Sequence, residues 1–245
     1  MRPPWISAYG TVRARLERRP WHWAEANRAA IAAHWERRRA AQPRLFDGRV
    51  LVVCGLDPAG EDALDVTFLE TGYAALLAWL DLGAPAEGEV LNGFAMGALR
   101  AADGAFVLGV MAAHTANTGR IYFPAGTPDL SDARPDGSVD LAASVVRELE
   151  EETGLGPADY RVGRGWTLVQ ARGRLAFLKP VHLAEPAEDA RARILANLAA
   201  QEEPELADVV VVRDRAGIEA ARMPDFLPLY LARALGPDEG EAGQE

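Results

Sequence analysis

Arg147-Glu148-Leu149-Glu150-Glu151-Glu152-Thr153-Gly154-Leu155 is the stretch on which the reading of this 245-residue chain turns. It closes a helix that starts near Asp140. Wound at 3.6 residues per turn, the segment puts Leu141, Ala142, Val145, Val146 and Leu149 on one core-facing stripe. Glu148, Glu151 and Glu152 fall on an adjacent arc, with Glu152 where that arc meets the apolar one. Glu150 points away toward solvent. Three carboxylates at the negative end of a helix dipole are badly placed, each at a cost of roughly 0.3–1 kcal/mol. A hard divalent cation held by oxygen ligands would remove the conflict. The plain alternative is a solvated acidic face; the edge position of Glu152 and the arginine heading the cluster favour the cation. Gly154 suits the left-handed position that ends a helix, and Leu155 can fold back onto the last turn.

These nine residues resemble the second half of the Nudix box, R-E-U-x-E-E-x-G-U with U a bulky aliphatic, and all seven specified positions match. The resemblance implies an α/β fold, a Nudix α/β/α sandwich with a mixed sheet. It implies Mg²⁺-dependent (or Mn²⁺-dependent) cleavage of a diphosphate linkage. Glu148, Glu151 and Glu152 would be the metal ligands, Glu151 and Glu152 acting in catalysis, with Arg147 holding the acidic cluster in place. The first half of the box departs from the pattern. The glutamate expected eight residues before the arginine is Val139 here. The box glycine falls on Gly126 in F-P-A-G-T-P-D, and Leu130 to Ser138 reads as an insertion. Asp140 either substitutes in part for the missing glutamate or caps the helix.

Composition sets broad limits. Hydrophobic residues make up 49% and charged residues 25%, ordinary for a soluble globular protein that can bury a large core. The net charge of −10 speaks against non-specific nucleic-acid binding, so an anionic substrate would need a metal or local arginines. Lys179 is the only lysine. Cys54, the single cysteine, cannot form an intramolecular disulfide and reads as a buried small hydrophobe. The opening M-R-P-P-W-I-S-A-Y-G lacks the apolar region of a signal peptide, and no apolar run reaches membrane-span length. The expected location is the cytoplasm, with no membrane partner.

Outward from the acidic helix, residues 1–89 read as an N-terminal extension serving as lid or dimer element. Residues 90–236 read as the Nudix domain and 237–245 as a disordered acidic tail. Within the extension, 1–20 read as irregular, Trp21 to Ala41 as a helix, Arg49 to Gly55 and Ala63 to Glu70 as a hairpin, and Thr71 to Leu82 as a Thr-capped helix. Ala84 to Glu89 is a Pro/Gly linker. In the second part, strands at 91–101 and 105–111 turn through A-D-G. A polar loop, Ala112 to Arg120, leads to a short strand at 121–123. Beside the acidic helix, His114, Arg120 and Gly126 are candidate substrate contacts. Tyr160 to Ala171 and Leu175 to Leu183 read as a hairpin, Pro186 to Ala200 as a helix, Asp208 to Val212 as a strand and Met223 to Leu235 as a last helix. Trp166 reads as packing rather than as a stacking platform.

The mechanism implied is attack of water on phosphorus, with the metal neutralising the diphosphate. Relatives take a general base from a loop downstream of the box. The Glu202, Glu203, Glu205 loop lies at that distance, and Glu203 stands as its candidate. The expected substrate is a small nucleotide, a nucleoside diphosphate joined to another moiety such as a sugar. A homodimer fits the resemblance. A Nudix domain without catalysis, sensing a nucleotide ligand, is the alternative that the Val139 departure keeps open.

Overall fold

The computed structural model describes residues 4–85, 90–115 and 117–236. The expected linker residues 86–89 and the acidic tail 237–245 lie outside them.

The chain opens with two strands, β1 (Trp5–Tyr9) and β2 (Thr11–Leu16), where the sequence reading expected irregular structure. The alternation was there: Arg13 and Arg15 reach out to Asp65 and Thr67, while Ala14 is buried between them. Strands of five and six residues beside prolines and arginines give that pattern little room to stand out. Two helices, α1 (His22–Ala26) and α2 (Arg28–Ala41), replace the single one expected. Asn27 divides them. Its amide donates to the Trp23 carbonyl at 2.8 Å, a local bond that competes with the helix ladder.

The hairpin of β3 (Arg49–Pro58) and β4 (Ala63–Gly72) forms as expected and runs into α3 (Tyr73–Asp81). Thr71 is not its cap. The Asp47 carboxylate accepts the free Ala74 amide at 2.8 Å, so the loop before β3 caps α3.

β5 (Asn92–Arg100) and β6 (Phe106–Met111) meet only at their turn, Arg100 opposite Phe106. Beyond it they part. β7 (Ile121–Tyr122) pairs with β6 and β8 (Ala125–Gly126) pairs with β5, filling the gap. β9 (Ser138–Val139) then leads into α4 (Leu141–Thr153). The expected strand from 160 to 171 is two strands, β10 (Tyr160–Val162) and β11 (Trp166–Ala171), separated by a turn with Gly165 at φ 68°. β12 (Arg174–Leu183), α5 (Ala187–Ala199), β13 (Leu206–Val212) and α6 (Leu227–Leu235) complete the chain. The last helix starts four residues after the expected Met223, with Pro228 in its first turn.

The large sheet has the order β1-β11-β12-β5-β6-β13, with β12 and β5 parallel. The smaller sheet is β3-β4-β2-β9, with β2 and β4 parallel. Alternation along the strands sets the layers. From β5, Ala95 and Leu99 face α4 and α5, while Met96 and Ala98 face α6. From β3, Leu51 and Val53 join the core beneath α4, while Val52 turns outward to Trp79 of α3. The large sheet is thus sandwiched between helices, a mixed α/β architecture, and the smaller sheet closes the α4 side. Residues before 90 share this core: β1 pairs with β11, and β2 pairs with β4 and β9. Among the described residues no helix is long and apolar enough to cross a membrane.

Candidate active site

α4 is positioned by its apolar stripe. Leu141, Val145 and Leu149 are fully covered, and Leu149 lies so close to β5 that a Cβ on Gly97 would sit 3.0 Å from it. The Asp140 side chain accepts the Ala143 amide and caps the helix, as one of its two readings expected, and it also pairs with Arg134. Gly154 ends the helix at φ 68°. Asn197 and Gln201 donate to the Thr153 and Glu151 carbonyls, satisfying acceptors that the last turn leaves free.

The three glutamates of this helix meet different surroundings. Glu152 is 3% exposed. One carboxylate oxygen accepts the Ala125 amide of β8 at 3.0 Å, and the other, Oε2, is buried without a hydrogen-bond partner. Burial pushes this carboxyl up to about 8, the Ala125 amide opposing the rise and nearby Glu205, Glu148 and Glu151 adding to it. Glu148 is largely covered and is raised for the same first reason, with Arg147 opposing. Its carboxylate fills the space above Gly126, where a Cβ would lie 2.1 Å from Oε1. Gly126 therefore makes room for Glu148; its expected role was substrate contact. Glu151 is the outermost of the three, its side chain 60% exposed.

Arg147 holds the cluster. One guanidinium nitrogen bonds Glu148 at 2.6 Å and lies 3.5 Å from Glu151. The other reaches both oxygens of Asp132 at 3.2 Å. Asp132 is almost wholly buried in the 3-10 turn Leu130–Asp132, where it also accepts the Asp129 amide. The segment read as an insertion thus supplies the acid that pairs with the arginine. Sequence reasoning looked eight residues upstream, at Val139, which is buried in β9. The turn from Ala133 to Ser138 displaces the true partner along the chain. The signal available was an aspartate six residues after Gly126 in a polar turn.

The remaining candidates are distributed unevenly. Glu203 pairs with Arg44 at 2.9 Å, both exposed. Glu205, two residues on, is the loop glutamate whose charge acts on both Glu148 and Glu152. Arg120 donates to the Ala221 and Met223 carbonyls, tying its loop to the segment before α6. His114 is exposed and makes no hydrogen bond or ion pair with a described residue. Tyr122, which sequence reasoning passed over, lies near Glu152 and Glu205, and burial raises its phenol well above the usual range. Trp166 is buried with Lys179 over its ring at 4.6 Å, as packing predicted.

Among the described residues, no three carboxylate, imidazole or thiol groups stand converged as a finished metal centre. Glu148 and Glu151 are turned to Arg147 instead. The candidate donors nevertheless fit a hard cation: all are carboxylate oxygens, and one of them, Glu152 Oε2, is buried and without a hydrogen-bond partner.

No protein-family model matches this chain, and no curated protein matches it. Solved structures do. A Nudix hydrolase from M. smegmatis, RenU, is 19% identical over 57% of this chain and 81% of its own, with a TM-score of 0.36. The MutT protein from Methanosarcina mazei Go1 is 18% identical over 63% and 96%, at 0.39. The E. coli ORF135 protein is 20% identical over 59% and 91%, at 0.34.

Proposed function

We propose that this chain is a Nudix-type, Mg²⁺-dependent hydrolase that cleaves the diphosphate linkage of a nucleoside diphosphate joined to another moiety, a sugar being the first substrate to try. The observation that carries the reading is the buried, unpaired Glu152 Oε2, set on the same helix face as Glu148 and Glu151.

Glu148, Glu151 and Glu152 would hold the cation. When bound, it neutralises the diphosphate and acidifies an attacking water. The chain's own residues do the rest. The Ala125 amide fixes one Glu152 oxygen and leaves the other free for a ligand. Asp132 anchors Arg147, and Arg147 sets the Glu148 carboxylate over Gly126. Glu205 would accept the proton of the attacking water; its charge effect on Glu148 and Glu152, and the pairing of Glu203 with Arg44, support it over Glu203.

A second reading, a nucleotide-sensing domain without catalysis, draws on one observation: Arg147 occupies Glu148 and Glu151. One experiment separates the two. Product release would be measured from nucleoside diphosphate sugars, ADP-ribose, dinucleoside polyphosphates and nucleoside triphosphates, with Mg²⁺, with EDTA, and with Glu152→Gln. Metal-dependent turnover of one class, lost in the variant, supports the hydrolase. Binding without turnover of any of them supports the sensor.

A further inference from the structure

Arg147 is spent on Asp132, Glu148 and Glu151, and Arg120 on backbone carbonyls. Beside the cation proposed for the carboxylates, an anionic substrate can use a loosely held guanidinium, and a nucleoside can use an exposed ring. Both stand on one loop from the N-terminal part of the chain, the segment between α2 and β3. Arg44 crosses to the loop after α5 and pairs with Glu203 across 159 residues of sequence. Glu203 is two residues beyond Gln201, a span of at most about 7 Å, and the Gln201 side chain donates to the Glu151 carbonyl at the end of α4. Phe46, two residues beyond Arg44, is 81% exposed, the most exposed large hydrophobic among the described residues.

That exposure is not slack chain. The Leu45 amide bonds the Gln42 carbonyl, the Gly48 carbonyl accepts the Tyr73 amide, and Asp47 caps α3. On the far side, the Leu51 amide bonds the Pro128 carbonyl, fixing β3 against the strip that follows Gly126. The Phe46 ring lies beside Gly48, where a Cβ would sit 3.4 Å from it. A fixed backbone presenting a bare aromatic ring and a loosely held guanidinium is arranged for a ligand with a planar face and a negative charge.

We infer that the Arg44–Asp47 loop is the substrate-recognition wall of the α4 site: Phe46 stacks on the base of the nucleotide, and Arg44 leaves Glu203 to contact a phosphate. This rests on the nucleotide-diphosphate reading given above. An exposed ion pair such as Arg44–Glu203 is weak, so substrate can displace Glu203 at little cost. Glu203 is then a competitor for Arg44.

The test uses the full chain in two assays. Equilibrium binding of ADP and UDP is measured by calorimetry for the unaltered protein and for Phe46→Ala, Phe46→Trp and Arg44→Ala. Phe46→Ala and Arg44→Ala should each weaken binding about tenfold, the size of one lost stacking or charged contact, while Phe46→Trp keeps it. Glu203→Ala should bind more tightly, because it frees Arg44. The second assay is the KM of whichever nucleotide is hydrolysed. Phe46→Ala should raise KM far more than it lowers kcat. Unchanged nucleotide binding in Phe46→Ala, or weaker binding in Glu203→Ala, would overturn the wall. Failure of the hydrolase reading looks different: nucleotide still binds through Phe46 and Arg44, but nothing is cleaved.

Discussion

Glu152 carries more of the account than any other residue, and its protonation has a measurable consequence. Its carboxyl is raised from 4.5 to about 8 on folding, chiefly by burial. The folded state therefore holds this proton more tightly than the unfolded chain does. The stabilisation is complete below 4.5 and is lost as pH rises through about 8. Without metal, this residue should make the protein progressively less stable to denaturant across that window. Glu152→Gln should flatten the slope, and an identical slope in both proteins would refute the assignment. Asp132 offers a second test. Asp132→Asn removes the charged partner that anchors Arg147. Metal affinity read from the Mg²⁺ dependence of activity should fall roughly tenfold to a hundredfold, and stability by about 1–3 kcal/mol. Asp132→Glu should recover part of both. The difference between these residues explains what the sequence could show. Glu148, Glu151 and Glu152 are set by helical spacing, which is local and readable. Asp132 pairs with Arg147 through a turn of unpredictable length, and that the charge of Glu205 reaches Glu148 and Glu152 while Glu203 pairs with Arg44 is a tertiary matter.

At the scale of elements, α4 and the hairpin of β3 and β4 were legible because their signals agree: a clean stripe, a cap and a glycine stop in one, and β-branched runs between turns in the other. β1 and β2 escaped because each is short and paired only with distant strands. The join between α1 and α2 escaped because a single asparagine side chain decides it. The pairing of β8 with β5 carries its own prediction. It holds Gly126 under Glu148, where a methyl group would take the carboxylate's place. Gly126→Ala should remove most metal-dependent activity while shifting the thermal midpoint little, since the displaced atoms end a flexible side chain. Parallel activity and melting measurements decide it; wild-type activity in Gly126→Ala would show that the Glu148 position is not needed.

Seen whole, the molecule joins a large mixed sheet covered by helices on both faces to a smaller sheet built mostly from its first 72 residues. Sequence spacing could place the acidic helix but not this joining, because β2, β4 and β9 come together from three separate stretches. The joining also brings Arg44, in the loop after α2, to Glu203 in the loop after α5. The hydrolase reading depends on the α4 carboxylates holding a divalent cation. The most direct test is Mn²⁺ binding to the full chain, followed by paramagnetic resonance and by calorimetry, for the unaltered protein, Glu152→Gln and Glu188→Gln, an exposed glutamate of α5 far from α4 in sequence. The account predicts saturable binding that is lost in Glu152→Gln and kept in Glu188→Gln. Equal binding by all three proteins, or none by the unaltered one, would contradict it.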